Sequence, residues 1–135
     1  MSDFNQQLVD EFRATGGKVT GMFAESPLLV LTTTGAKSGQ SRTIPLVYTT
    51  DQNRLVVIAS KGGAPTNPAW YHNLVANPIV TVELPGETFR AKAQVAEGAE
   101  RDRLFEQQAA QMPGFADYQR NTTRRIPVVV LERLA

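Results

Sequence analysis

The feature that most constrains the fold is a series of short apolar runs that follow a two-residue period and are joined by turn sequences. In the clearest pair, every second residue of 80–84 is apolar, "PGE" follows, and the alternation resumes over 89–95. This period is typical of strands with one buried face, and the short polar connection predicts a β-hairpin. The chain is therefore expected to build its core around an antiparallel sheet.

Other runs rich in β-branched and apolar residues predict four further strands, over 27–34, 42–51, 54–60 and 126–134. Pro45 lies inside the second of these runs, which indicates an edge strand or a bulge, because proline donates no ladder hydrogen bond. About six strands and about three helices do not give the regular alternation of a parallel α/β fold. The prediction is a mainly β (α+β) fold, a small antiparallel barrel closed without exposed edges.

Three segments predict helices. Phe4, Leu8 and Phe12 recur at four-residue spacing and predict an amphipathic helix that ends before Thr15. It would pack on the core or on a second subunit, and its acidic polar face disfavours a membrane-surface role. Polar and proline signals predict a short helix over 66–78, and an apolar stripe predicts another over 98–112. The segment 113–122 is expected to be irregular.

Composition limits the function classes. The 135 residues suit a single domain, 1–135, with 1–25 as the first helix and its lead-in. A net charge of +1 does not favour a nucleic-acid partner, and the lack of cysteine excludes disulfides and thiolate metal sites. The N-terminus lacks a secretory signal pattern and no apolar run could span a bilayer. We expect a cytoplasmic protein without a metal.

The stretch "LTTTGAKSGQSRTIPL" (31–46) resembles a nucleotide-binding P-loop, but Ala36 replaces the required glycine and a strand follows instead of a helix. A Walker-type NTPase is therefore excluded. Glycines, cations and hydroxyls could still bind an anion. The candidate residues are Thr34, Gly35, Lys37, Ser38, Gly39, Ser41 and Arg42. The alternative is a β-turn whose basic residues face solvent.

A second glycine loop, "ASKGGAPTNPAWYHN" (59–73), follows a strand and opens a helix. A hydroxyl, a cation and backbone amides at a helix N-terminus favour anions; here they come from Ser60, Lys61, Gly62 and Gly63. Trp70 could stack on a planar ring or serve as a core anchor, the commoner role of a single tryptophan. His72, the only histidine, cannot build a zinc site alone, and its role as a base or a structural hydrogen-bonding group stays open.

Together with the closing "IPVVVLE", the two loops resemble the deazaflavin-dependent nitroreductase family over about 27–132. The resemblance implies a split β-barrel of the FMN-binding-like type, bound coenzyme F420, and hydride transfer from the reduced coenzyme to a small-molecule substrate. It also implies a possible homodimer. By position, Lys37 and Arg42 would hold the acidic tail of the coenzyme, and Ser60, Lys61, Gly63 and Ala64 would lie against the deazaflavin. Pro65 would shape this loop, and Trp70 would lie near the tail.

In such a site Ser60 is the candidate group for contacting the substrate oxygen, with Tyr118 as a second hydroxyl. The family's nitroreductases line the substrate pocket with tyrosines, whereas this chain has Met112 and Phe115 there and keeps Tyr118. Methionine and phenylalanine cannot donate a hydrogen bond as a phenol does. The pocket is therefore expected to suit quinones, enones or lactone-type aromatics better than nitroimidazoles. An FMN-dependent split-barrel enzyme and a non-catalytic F420 carrier are the alternatives.

Overall fold

A computed structural model describes residues 3–21, 24 and 26–134. Seven strands are present in this part of the chain: β1 (Leu28–Thr34), β2 (Ser41–Val47), β3 (Thr49–Asp51), β4 (Arg54–Ile58), β5 (Ile79–Leu84), β6 (Glu87–Val95) and β7 (Val128–Arg133). The α-helices described are α1 (Asp3–Thr15), α2 (Ala69–Ala76), α3 (Gly98–Gln111) and α4 (Gly114–Arg120). A short 3₁₀ helix covers Lys61–Gly63.

The strands form one sheet in the order β2-β1-β5-β6-β7-β4-β3, and every neighbouring pair is antiparallel. The first and last strands of this order, β2 and β3, are consecutive in the chain and are separated by Tyr48 alone. The sheet is therefore curled, which confirms the antiparallel split-barrel fold class. No pairing joins β2 to β3 in the described residues, however, so the sheet keeps two edges where full closure was predicted.

The prediction of one strand over 42–51 was wrong, because this run changes partner at Tyr48. Its first part pairs with β1 and its second part with β4. At the change of partner, the Tyr48 N–H donates instead to the carbonyl of Pro27 at 3.1 Å. Pro45 lies in β2, at the end of the strand order, as its missing N–H predicts.

Side chains alternate between the barrel interior and its outer surface. In β4, Leu55 and Val57 join the interior core, whereas Val56 and Ile58 face a second cluster that includes Leu104 of α3. Strand β1 behaves in the same way, with its outer face covered by α1. Both faces of these strands are buried, which explains why their sequences read as continuous apolar runs instead of strict alternation.

Helix α1 differs from the predicted stripe. Leu8, Val9 and Phe12 are buried against β1, but Phe4 is 54% exposed. The buried face therefore keeps Leu8 and Phe12 of the predicted stripe and adds Val9 in place of Phe4, and the helix extends through Thr15. Of the predicted lead-in, 1–2, 22–23 and 25 lie outside the described residues.

The prediction that 113–122 is irregular was wrong for most of the segment. Helix α4 begins directly after Pro113, whose fixed φ is compatible with a helix start. Its half-buried Phe115 and Tyr118 pack against the same cluster as α3. Helix α2 begins at Ala69, later than predicted, with Pro68 preceding it. No helix among the described residues is long and apolar enough to cross a membrane.

Candidate functional site

A cleft of about 1050 Å³ lies where both glycine loops approach the helices α1 and α2. It brings together parts of the chain that are far apart in sequence. Its described lining comprises Asn5, Gln6, Val9, Arg13, Gly35, Ala36, Lys37, Ser38, Ser41, Arg42, Thr43, Ile44, Lys61, Pro68, Ala69, Trp70, His72 and Asn73. The two sequence loops thus belong to one cavity of the size that cofactor sites need.

The cleft is electropositive although the chain as a whole is nearly neutral, with a net charge of +1. Arg13, Lys37, Arg42 and Lys61 line it, and no carboxylate is present among its described lining residues. Arg13 is already neutralised by Glu83, with Nε–Oε1 at 2.9 Å and Nη2–Oε2 at 2.8 Å. Within 3–21, 24 and 26–134, Lys37 and Arg42 form no ion pair, so their charge is available to a ligand.

The first loop closes on itself through its own backbone. The Gly35 N–H donates to the Gln40 carbonyl at 2.8 Å, and the Gly39 N–H donates to the Gly35 carbonyl at 3.0 Å. Gly39 has a φ of +69°, a conformation that side chains disfavour. The N–H groups of Lys37 and Ser38, at the tip, donate to no group in the described part of the chain. Two amides and the Lys37 ammonium are therefore available to an anion.

Asn73 connects the first loop to helix α2. This buried side chain accepts a hydrogen bond from the Ala36 N–H at 3.0 Å and donates one to the Thr33 hydroxyl at 3.1 Å. One turn later, Asn77 donates to the Thr34 carbonyl at 3.3 Å. Because α2 follows the second glycine loop in the chain, these bonds fix the two loops relative to each other.

The second loop is a turn of 3₁₀ helix that begins after Ser60. The Gly63 N–H donates to the Ser60 carbonyl at 3.0 Å, and the Ala64 N–H donates to the Lys61 carbonyl at 3.1 Å. Gly63 has a φ of +82°, and a Cβ there would lie 2.9 Å from the Tyr118 carbonyl oxygen. Only glycine fits this position, where the loop contacts α4.

Arg124 supports the second loop and was not predicted from the sequence. Its guanidinium donates to the carbonyl oxygens of Ala59, Ser60 and Ala64. Nothing local in the sequence distinguishes it from its neighbour Arg125, because its partners lie about sixty positions earlier in the chain. Arg124 itself is not among the described cleft lining, whereas Arg13, His72 and Asn73 are polar lining residues that the predicted site did not include.

The predicted cofactor residues fall into two groups. Those that line the cleft are Gly35, Lys37, Ser38, Arg42, Lys61 and Trp70. Those in or beside the same loops but outside the described lining are Thr34, Gly39, Ser60, Gly62, Gly63, Ala64 and Pro65. Trp70 is only 6% exposed and belongs to the interior core, so most of its ring is a core anchor.

The predicted substrate residues lie in helix α4 and at the end of helix α3. Phe115 and Tyr118 pack edge to face, with ring centroids 5.6 Å apart, and Met112 ends helix α3. None of the three belongs to the cleft lining among the described residues. Tyr118 is nevertheless close to the loop, since Gly63 packs against its backbone. Their role in substrate binding stays a prediction.

A curled antiparallel barrel with a cationic cleft between two glycine loops defines a class of proteins that bind an anionic cofactor at the end of a split barrel. Comparison with known proteins shows to which family within this class the chain belongs. Residues 5–133 match the model of the F420H(2)-dependent quinone reductase family, and the chain belongs to that family. The predicted oxidoreductase class and coenzyme F420 are thereby confirmed, and the family takes its name from quinone reduction, in agreement with the expected preference for quinones, although the sequence resemblance was to the nitroreductase family.

Individual relatives agree with the family match. The F420H(2)-dependent quinone reductase Rv1261c of Mycobacterium tuberculosis is 39% identical over 126 residues, which cover 90% of this chain and 85% of that protein. Among solved structures, the F420-H2-dependent reductase FDR-A superposes with a TM-score of 0.72 at 39% identity, covering 78% of this chain and 94% of that one. A chain described as a domain-swapped dimer gives a TM-score of 0.75 at 34% identity, covering 94% and 96%.

Proposed function

We propose that the protein is an F420H2-dependent reductase that holds the coenzyme in the cleft between its glycine loops and reduces quinones or other electron-poor acceptors. The observation that carries this proposal is the charge of the cleft, where Lys37, Arg42 and Lys61 form no ion pair in the described part of the chain and Arg13 alone is paired, with Glu83. A coenzyme tail with a phosphodiester and several glutamates requires this local concentration of positive charge, which the net charge of the chain does not reveal.

The donor groups present fit such a coenzyme. Lys37, Arg42 and the two available amides at the tip of the first loop would hold the acidic tail through charge-assisted hydrogen bonds. The second loop, which starts at Ser60, would lie against the deazaflavin. When bound, the reduced coenzyme supplies the hydride, and the protein supplies orientation and polar contacts.

The chain offers two hydroxyl groups to an acceptor oxygen that gains negative charge. Ser60 lies at the start of the 3₁₀ helix, and its side chain is not used to cap that helix. Tyr118 contacts the same loop from α4 through its backbone. We assign both as hydrogen-bond donors to the acceptor, with Ser60 as the principal one. Met112 and Phe115 would provide an apolar surface for a quinone or an enone.

Titration with oxidised coenzyme F420, followed by turnover of the reduced coenzyme with menadione, tests the proposal. Binding in the micromolar range or tighter and saturable oxidation of F420H2 are expected. Absence of coenzyme binding would contradict the proposal. Tight binding without oxidation by any quinone, enone or nitro acceptor would instead support a non-catalytic carrier, and a yellow purified protein containing FMN would support the flavin alternative.

We also propose that the protein forms a homodimer. The support is the relative described as a domain-swapped dimer, which is 34% identical and covers almost the whole chain. Light scattering after size exclusion should give twice the chain mass of 14.8 kDa. A monomer at micromolar concentration would contradict this proposal without affecting the assignment of the cleft.

A further inference from the structure

The guanidinium of Arg124 lies at the centre of the second glycine loop. Nη2 donates to the carbonyl oxygens of Ser60 at 2.7 Å and Ala64 at 2.9 Å, and Nε donates to the Ala64 carbonyl at 3.1 Å. Nη1 donates to the carbonyl oxygen of Ala59 at 3.1 Å and to Oδ1 of Asn67 at 2.6 Å. One side chain thus binds the loop at both of its ends.

Arg124 supplies hydrogen bonds to loop carbonyl oxygens that would receive them from a neighbouring strand or helical turn in regular secondary structure. The Ala59 and Ala64 carbonyls lie between the β4 ladder and helix α2 and require other donors, whereas the Ser60 carbonyl accepts from Arg124 in addition to the Gly63 N–H. The planar guanidinium presents five N–H donors in a fixed geometry, which allows it to bind several carbonyls that converge on one point. The conformation of the loop therefore depends on a residue near the other end of the chain.

The bonding of Arg124 is unlike that of the other arginines around it. Arg125 forms an ion pair with Asp102 at 2.6 Å, whereas Arg124 has no carboxylate partner within the described ranges. Desolvation by burial lowers the pKa of Arg124, but an arginine stays charged at neutral pH. Keeping a charged group half-buried costs free energy, and here hydrogen bonds to the neutral oxygens of the loop and of Asn67 offset that cost in place of an ion pair.

We infer that Arg124 is a positioning residue that holds the second glycine loop in the conformation that receives the coenzyme. This inference rests on the proposed function, because it assumes that the loop contacts the coenzyme. Without the guanidinium, the free protein would spend only part of its time with the loop in the binding conformation. The apparent dissociation constant would rise by the inverse of that fraction.

The experiment compares Arg124→Ala with Arg125→Ala, which removes an arginine from the next position but leaves the loop bonds intact. Affinity for oxidised coenzyme F420 is measured by titration well below the melting temperature of each variant. Hydrogen exchange of residues 59–67 is measured in the coenzyme-free protein. Arg124→Ala should raise the dissociation constant about tenfold and accelerate exchange in 59–67 but not in β1 or β5, while Arg125→Ala should leave both near the wild-type values.

Equal affinity and equal loop exchange in Arg124→Ala and the wild type would overturn the inference while leaving the proposed function intact. If the wild type itself does not bind coenzyme F420, the proposed function fails, and the exchange measurement still decides whether Arg124 orders the loop. Should Arg124→Ala not fold, Arg124→Lys and Asn67→Ala replace it. Weaker binding by both supports the inference, and wild-type affinity in both overturns it.

Discussion

The two glycine loops line one cleft but are built on opposite principles. The first loop is exposed at its tip, closes through its own backbone and carries Lys37 and Arg42, which form no ion pair in the described part of the chain. The second loop is held from the protein side by Arg124 and packs against α4 at Gly63. The comparison indicates that the first loop contributes most of the unpaired charge, whereas the second, apart from Lys61, contributes a fixed backbone shape.

The difference between the two loops matches the different demands of the flexible anionic tail and the rigid ring of the coenzyme. A flexible tail with several negative charges can be bound by cations on an adaptable loop, since electrostatic attraction falls off gradually with distance. A rigid planar ring needs contacts at defined positions, because small displacements of the reacting atoms are costly in rate. Substitutions in the two loops should therefore have different consequences.

The largest expected effect is that of Gly63→Ala. Gly63 has a left-handed backbone conformation that a side chain disfavours, and a Cβ there would lie 2.9 Å from the Tyr118 carbonyl oxygen. The substitution should therefore lower the free energy of unfolding by about 2 to 4 kcal/mol. Gly39→Ala is the matched control, because its φ of +69° imposes the strain while nothing lies within 4 Å of the added Cβ. It should cost about 1 to 2 kcal/mol. Urea denaturation measures both, and equal losses would contradict the close approach at Gly63.

The next effect concerns affinity alone. Lys37→Ala should weaken binding of coenzyme F420 by about 1.5 to 3 kcal/mol, through loss of a charge-assisted contact, with little change in stability. Lys92, exposed on β6 and outside the described cleft lining, provides the control substitution Lys92→Ala. An affinity unchanged by Lys37→Ala would mean that the acidic tail lies elsewhere.

Asn73→Ala should affect both properties, because this residue joins the loops. It leaves the Thr33 hydroxyl and the Ala36 N–H without their partner and should lower the free energy of unfolding by about 1 to 3 kcal/mol. Coenzyme binding should weaken less than in Lys37→Ala. Asn77→Ala, which removes a single longer bond to the Thr34 carbonyl, should have the smaller effect in both assays. The opposite ranking would show that Asn73 does not connect the loops.

The smallest expected effect lies outside both loops, at Asp51 on β3. Bidentate hydrogen bonds from Arg103, and a further bond from Arg54, lower the pKa of this carboxyl from 3.8 to about 2. Because the folded-state pKa is depressed, its contribution to stability is complete above about pH 4 and is lost as the pH falls toward about 2. Asp51→Asn should therefore lose less stability than the wild type over this interval, with unchanged coenzyme affinity at neutral pH. Identical acid denaturation curves would contradict the ion pairs.

The sequence predicted the parts of this molecule that depend on local pattern. Strand alternation and hairpin turns identified the sheet, and the spacing of Lys37 and Arg42 identified the cationic loop. Contacts between distant segments could not be predicted in this way. The division of one strand run at Tyr48 depends on the curling of the sheet, and the bond of Arg124 to Ser60 joins residues 64 positions apart. Helix α4 was missed because its stability derives from packing on the core cluster more than from propensity.

The salt dependence of coenzyme F420 binding tests most directly whether the first loop supplies the charge that binds the coenzyme and the second loop supplies a fixed backbone shape. Titrations from low to high salt should give the steepest loss of affinity in the wild type and in Arg124→Ala, with parallel slopes, because both keep the exposed cations of the first loop. The double variant Lys37→Ala/Arg42→Ala should give a markedly shallower slope. A slope that is unchanged in the double variant, or reduced only in Arg124→Ala, would contradict the assignment of charge to the first loop and shape to the second.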